Sequence, residues 1–391
     1  MPLKLYLDMV IIEPREFSEL VNPHIKNAES VYFFGFITTT EIAQTFPNFT
    51  QSMANLRSLT LDGPKVIKQI SSVDLPESLV PTLRYLEVVG VPLSSSFLRL
   101  RALTELVLYH SRPSLHLDTL LDFLEANRSL KRADLTIRPT GLIRTSLFVP
   151  QLRGAIVNQL QRLSINYTCT MIGKALLSNI PLQRGAHLEI ITDTSDGSDG
   201  VLFGVLAAQF PNLLSPISME YQPHKKSIRL FGPNGSFSFQ SSGRDRSLFG
   251  EFRLLPLTNI REFRLKYRRP EGMQNLDRVV FKPSVFPALE TFAIDCEIQI
   301  SQFLSALLSN PSFSPSLRTL AFLNCDFSGD SLEALTRFAS GRTKTTSAWL
   351  RRVVIVDSKG NLPSIASIDA LEKYVPIVNV GVGKELPTDL A

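Results

Sequence analysis

The sequence predicts an α/β solenoid, in which short parallel strands stack side by side into a horseshoe with helices outside and an irregular insertion in the middle. Two observations predict it. A short apolar phrase returns nine times along 391 residues, and several of the segments between phrases carry apolar residues at helical spacing instead. A third observation sets the function class: no nucleophile motif, acid–base pair, metal-ligand set or phosphate-binding glycine pattern stands in the chain.

The phrase is an apolar residue, two variable residues, an apolar residue, one variable residue and another apolar residue. It reads Leu56, Leu59 and Leu61; Leu83, Leu86 and Val88; Leu103, Leu106 and Leu108; Leu130, Ala133 and Leu135; and Leu160, Leu163 and Ile165. After a gap it resumes at Ile260, Phe263 and Leu265; Leu289, Phe292 and Ile294; Leu317, Leu320 and Phe322; and Leu350, Val353 and Ile355. The middle residues lie 27, 20, 27 and 30 apart in the first half, then 29, 28 and 33 in the second. Alternate side chains of an extended chain share a side, so each phrase predicts a strand with its second and third apolar residues in one core. Between phrases, Leu120, Leu121, Phe123 and Leu124 predict a returning helix, as do Phe303, Leu304, Leu307 and Leu308, and Leu332, Leu335 and Phe338. Asp330 and Glu333 have the spacing of an N-terminal capping pair for the last of these.

This spacing resembles that of leucine-rich repeats, whose period is roughly 20–29 residues. Leu317, Leu320, Phe322, Cys325 and Phe327 resemble the cysteine-containing subtype of that repeat, which is common in F-box proteins. The layout of the whole chain resembles fungal F-box-like proteins: an opening strand with Pro2, Leu3, Leu5 and Leu7, a helix near Arg15 to Ile25, a strand from Val31 to Phe36, and then the repeats. The resemblance implies a non-catalytic protein-protein interaction scaffold akin to the substrate-recognition part of an F-box ubiquitin-ligase receptor. Leu75, Pro76, Glu77, Ser78 and Leu79 resemble the opening of an F-box. The strand phrase beginning at Leu83 leaves no room there for the helical hairpin that the family requires, so a ligase adaptor is expected as a partner only if an F-box lies outside this sequence. The alternative is a stand-alone leucine-rich-repeat scaffold unrelated to ubiquitin transfer.

Residues 1–391 read as a single repeat domain, with 1–50 as an N-terminal strand-helix-strand cap. The rhythm breaks between 185 and 255, which reads as an irregular insertion or as eroded repeats within one solenoid. It contains an acidic Gly/Ser-rich loop near Thr192 to Gly200 and a hairpin signal at Gly232, Pro233, Asn234 and Gly235 between the alternating segments that run from Ile228 to Phe239. Two half-solenoids joined at this point are the alternative.

With 44% apolar and 20% charged residues, the chain has the material for a continuous core. A net charge of +5 is too small and too dispersed to imply nucleic acid. Cys169, Cys296 and Cys325 form no disulfide framework or zinc pattern. Cys296 and Cys325, 29 residues apart after equivalent strands, read as inert core thiols. No secretory signal or membrane-spanning stretch is legible, which predicts a cytoplasmic or nuclear protein. Asp193, Asp196 and Asp199 miss the ligand spacing of a calcium loop, and the histidines are scattered. The chain is therefore expected to be no enzyme and to hold no catalytic residue, cofactor or metal.

The variable positions of the phrases should point to the concave sheet, where repeat proteins commonly bind. The candidate partner-binding residues are Arg57, Arg84, Tyr85, Tyr109, Arg132, Arg162, Arg261, Arg264, Lys266, Arg318 and Arg351. Asp134, Glu262 and Glu290 are interleaved among them. The excess of arginine predicts a protein partner with an acidic surface; the plainer alternative is a solvated charged face.

Overall fold

An apolar phrase of period two can bury one side only as an extended strand, and each of the nine forms one. The computed structural model of the chain describes residues 3–8, 27–34, 55–63, 81–91, 99–110, 117–137, 160–167, 170–180, 182–192, 215–241, 257–267, 286–296, 314–327, 330–345, 349–357 and 362–383, with residues 19, 24, 97, 255, 303, 304 and 307. The chain divides into two units, Met1–Phe210 and Pro211–Ala391.

The first unit contains β1 (Leu3–Asp8), β2 (Ala28–Phe34), β3 (Ser58–Asp62), β4 (Tyr85–Val89), β5 (Glu105–His110), β6 (Arg132–Ile137), β7 (Arg162–Tyr167) and β8 (His187–Thr192). Each pairs with the next in parallel. The register aligns the middle residue of every phrase: Leu5, Val31, Leu59, Leu86, Leu106, Ala133, Leu163 and Leu188 form one row, and the third apolar residues form the next, from Leu7 to Ile190. From β2 onward no member of either row is more than 2% exposed. β8 lies inside the stretch expected to be irregular, yet it continues the parallel row. Its phrase escapes a search for leucines because Gly185, at φ +87°, stands where the first apolar residue belongs.

The second unit contains β9 (Ser218–Gln222), β10 (Ser227–Gly232), β11 (Gly235–Ser241), β12 (Glu262–Tyr267), β13 (Thr291–Cys296), β14 (Thr319–Leu323), β15 (Arg352–Asp357) and β16 (Ile377–Val382). Their order is β11-β10-β9-β12-β13-β14-β15-β16. From β9 through β12 to β16 the pairing is parallel, with Met219, Phe263, Phe292, Leu320, Val353 and Val378 in one row. β9, β10 and β11 pair antiparallel, so within the stretch that breaks the rhythm the residues from Ser218 to Ser241 form a meander ahead of β12. Pro233 and Asn234 turn the β10–β11 hairpin between the paired Gly232 and Gly235. A Cβ at Gly232 would come within 2.8 Å of the Ser215 carbonyl oxygen, which explains glycine at that position.

Four α-helices return from strands among the described residues: α1 (Leu117–Ala126), α2 (Thr170–Asn179), α3 (Ser331–Thr345) and α4 (Ile365–Glu372). Phe303, Leu304 and Leu307 are helical and buried, as their spacing predicts. Of the helix expected near Arg15 to Ile25, Glu19 and His24 are helical and the rest lies outside the described residues. So do the acidic loop around Asp193 and the Leu75 to Leu79 segment.

The coils are tied at the corner where each strand begins. The carbonyl of Arg57 accepts the N–H groups of both Arg84 and Tyr85, at 2.8 and 2.9 Å, and that of Arg84 accepts those of Thr104 and Glu105, at 2.8 and 3.0 Å. The same shared acceptor recurs at Thr104 and Lys131, and in the second unit at Ile217, Arg261, Glu290 and Arg318. At the strand ends the backbone turns out of the ladder. Gly90 and Asn324 do so at φ +64° and +56°, and their N–H groups donate to Tyr109 and Val356 of the neighbouring strands at 2.8 Å.

Buried side chains close the remaining gaps. Asn127 after α1 donates to the Phe123 carbonyl at 3.0 Å and accepts the Leu103 N–H at 3.4 Å. Ser314 donates to the Phe286 and Leu289 carbonyls. Arg342 of α3, 2% exposed, donates through Nη2 to the carbonyls of Ser314, Pro315 and Leu317 at 3.2, 3.4 and 3.1 Å. Burial pushes its guanidinium pKa down, but the group stays charged. Arg342→Ala would strip that corner of its donor and is expected to cost about 2–3 kcal/mol in urea unfolding of the full chain. Arg342→Lys, which lacks the planar fork, should recover only part of the loss. A cost below about 0.5 kcal/mol would show that the corner holds without the guanidinium.

Candidate functional site

Strand alternation leaves three outward positions on each strand, and the register sorts the expected binding residues into two groups. Tyr85, Tyr109, Arg132, Arg162, Arg264 and Lys266 stand on the sheet face opposite the core. Arg57, Arg84, Arg261, Arg318 and Arg351 do not lie on that face. They occupy the corner before the strand, where the carbonyls of Arg57, Arg84, Arg261 and Arg318 each accept two backbone N–H groups and that of Arg351 accepts the Ile377 N–H, and their side chains are exposed.

On the face of the first unit, the arginines already have acidic neighbours. Arg132 Nε donates to Asp134 at 2.9 Å, and its charge also lies 3.9 Å from Glu105. Arg162 reaches Asp134 at 3.9 Å and Glu189 at 3.5 Å. The hydrogen bond to Asp134, against the opposing effect of burial, raises the pKa of Arg132. Glu87 accepts from Tyr85 OH at 2.9 Å and from Thr60 Oγ1 at 3.2 Å. Burial, and then the bond to Glu87, push the Tyr85 phenol up, so it remains a neutral donor.

On the second unit, Arg264 lies 3.7 Å from Asp295 and Lys266 donates to Glu220 at 2.8 Å. Glu220 also accepts from Gln222 at 2.6 Å and faces Arg229 of β10 at 3.8 Å. This cluster was not legible in the sequence, because antiparallel pairing of β9 with β10 is what brings Arg229 opposite Glu220. Beyond it, the outward positions of β13, β14 and β15 carry no charge at their centres: Ala293, Ala321, Leu323, Val354 and Val356 form a second buried apolar cluster. The charged face expected from the variable positions therefore gives way at the centres of these strands to apolar side chains; Asp295 and Arg352 keep charge at outward positions near the strand ends, and Arg318 and Arg351 stand at the corner.

Among the described residues no three His, Cys, Asp or Glu side chains come together as metal ligands would, and no helix is long and apolar enough to cross a membrane. Cys325 is buried and donates to the carbonyls of Ile294 and Leu323 at 3.7 and 3.4 Å, so it serves the packing of the coil. What the faces offer is shape, hydrogen bonding and charge on a rigid sheet.

Glu220 links the second unit to pH. Burial raises its carboxyl pKa, but the hydrogen bonds from Lys266 and Gln222 and the charges of Lys266 and Arg229 outweigh burial and leave it below its ordinary 4.5. A depressed carboxyl contributes stability that is present above the unfolded value and lost as pH falls through the folded one. Unfolding midpoints should therefore fall on acidification below pH 4.5, and Glu220→Gln should be less stable at neutral pH while losing that part of the acid sensitivity. Equal pH slopes in the two proteins would show that this carboxylate is not linked to folding.

The sequence matches no protein-family profile and no curated protein. Among solved structures, it is similar to the crystal structure of the leucine-rich repeat-containing protein LegL7 from Legionella pneumophila, at 14% identity and a TM-score of 0.27, over 99% of this chain and 93% of that one. The parallel ladder, with its aligned apolar rows, fits a solenoid-like α/β fold.

Proposed function

We propose that the chain is a non-catalytic protein-interaction scaffold. The observation that supports this reading most directly is the separation of duties along every strand of the first unit: two side chains per strand lock the core, and the three between them are free to carry polar, charged or aromatic groups on a fixed backbone. Such a surface recognises a partner by complementarity, and the partner's identity lies in the face instead of the fold. The finer reading is a substrate receptor of a ubiquitin ligase. It is favoured by the resemblance of Leu317, Leu320, Phe322, Cys325 and Phe327 to the repeat subtype common in F-box proteins, and a buried reduced thiol at Cys325 suits the cytoplasm or nucleus that this role requires. The second reading, a scaffold with no part in ubiquitin transfer, needs the ladder alone.

The exposed corner arginines are the natural contact for an acidic partner surface. With a partner identified by proximity labelling and then purified, the triple variant Arg261→Glu, Arg318→Glu and Arg351→Glu should weaken binding about tenfold or more without lowering the unfolding midpoint. Unchanged affinity would take the acidic contact off the corner row. Co-purification of a cullin-ligase adaptor with the full-length protein from its native cells supports the receptor reading. A stable partner recovered without one leaves the stand-alone scaffold.

A further inference from the structure

The sheet face of β1–β5 has a charge opposite in sign to that of the chain. Its fifteen outward positions, three on each of five strands, hold one cation, Lys4, against four carboxylates, Asp8, Asp62, Glu87 and Glu105. The whole chain is at +5. Two arginines of these coils, Arg57 and Arg84, stand at the corner, where the Arg84 guanidinium is turned onto the carbonyls of Pro81 and Ala102. Among the described residues, the hydrogen-bond donors to Glu87 are neutral hydroxyls, which leave its charge in place. Among the described residues Arg132 lies 3.9 Å from Glu105, and its shorter bonds go to Asp134.

The same face concentrates aromatic rings: Tyr6, Tyr32, Phe34, Tyr85 and Tyr109 take five of the fifteen positions. Tyr6 is 64% exposed, Tyr109 46% and Phe34 37%, although aromatic side chains left in water forgo their burial energy. Tyr6 and Tyr32 stack with centroids 4.6 Å apart, so each ring holds the other in a fixed orientation on the face. Rings with negative faces beside carboxylates repel phosphate and attract organic cations. Tyrosine is also the residue type that protein interfaces favour at their energetic centres.

We propose that this face of the first unit binds a cationic peptide segment of a protein partner, with Tyr6, Tyr32 and Tyr109 covering the stems and charged heads of Lys or Arg side chains, and with Glu87 and Glu105 accepting their N–H groups. The proposal rests on the interaction-scaffold reading and adds to it the chemistry of one partner element and its place, away from the arginine corner row. Each component is needed. The carboxylates select the sign of the charge, the rings contribute apolar area that an acidic patch alone lacks, and the backbone ladder holds both without ordering them on binding.

The test uses the full chain and a fluorescent hexaarginine peptide, with hexaglutamate as the opposite-sign control, read by anisotropy. Saturable binding of hexaarginine, weakened by salt and not competed by hexaglutamate, is expected. The pair Tyr6→Ala and Tyr109→Ala, both at exposed positions, and the pair Glu87→Gln and Glu105→Gln should each weaken it about tenfold. Glu372→Gln, an exposed acid of α4, should leave it unchanged. Absence of saturable binding, face variants that bind like the wild type, or an equal loss in Glu372→Gln would each overturn the proposal. A captured partner whose binding ignores the face variants would also overturn it and leave the scaffold reading standing. Face-dependent hexaarginine binding with no protein partner recovered by proximity labelling would count against the scaffold reading alone.

Discussion

The structure depends on the corner carbonyl that serves two N–H groups of the next coil. At Arg57, Arg84, Thr104 and Lys131, and again at Ile217, Arg261, Glu290 and Arg318, one acceptor fixes both the last residue of a turn and the first of a strand. Since the side-chain period of a strand is two, a slip of one residue at any corner would turn Leu59 and Leu61, or Leu320 and Phe322, out of the core and bring their polar neighbours in. Backbone geometry at the corner and apolar burial along the strand therefore enforce the same register. Neither would hold it alone: a parallel ladder without a buried row slides, and a row of leucines without a fixed start has no preferred phase.

The corner also governs where charge can go. In the first unit most outward positions are polar or aromatic, and the ion pairs there run between strands: Arg132 with Glu105, Arg162 with Asp134 and Glu189. In the second unit the outward centres of β13–β15 are alanine, leucine and valine, all buried, so a long cationic side chain has no place on them. Arg318 and Arg351 stand three residues before those centres, at the corner, where their side chains are exposed. An arginine after the first leucine of the phrase thus marks the corner and not the face. The composition of the phrase alone does not separate the two, because both are variable positions next to an apolar one.

What the sequence made legible follows from range. The strands from β3 to β7 and from β12 to β15 could be read because each is written in a single local phrase, and the β10–β11 turn could be read because Pro233 and Asn234 sit between two glycines. β2, β8, β9 and β16 were harder. Their rows are filled by Val31, Leu188, Met219 and Val378 without a leucine at the phrase start, and only the register with a neighbouring strand shows them to be the same unit. Of the expected binding residues, the side chain and its strand were legible but its company was not. That Arg132 is held by Asp134, or that Lys266 meets Glu220 from the far side of the meander, depends on which strands become neighbours. Arg342 shows the same limit in the core, since an arginine on an amphipathic helix reads as solvated until the carbonyls of Ser314, Pro315 and Leu317 are found around it.

A fold of this kind separates the energies of folding and recognition. Truncating a core leucine such as Leu320 removes about 2–5 kcal/mol, comparable to the margin by which a domain is stable at all. A change at an exposed outward position such as Tyr109 stays within about 0.5 kcal/mol of neutral. The two rows of apolar residues are thus constrained to nearly one solution, and the positions between them can vary almost without structural cost. Five aromatic rings and four carboxylates gathered on β1–β5 are not what folding asks of those positions, since exposed Tyr6 and Tyr109 add little to stability and like charges on one sheet face oppose it. A surface that the core does not require, and that electrostatics mildly disfavours in the free protein, is best explained by what it gains when a partner of opposite charge covers it.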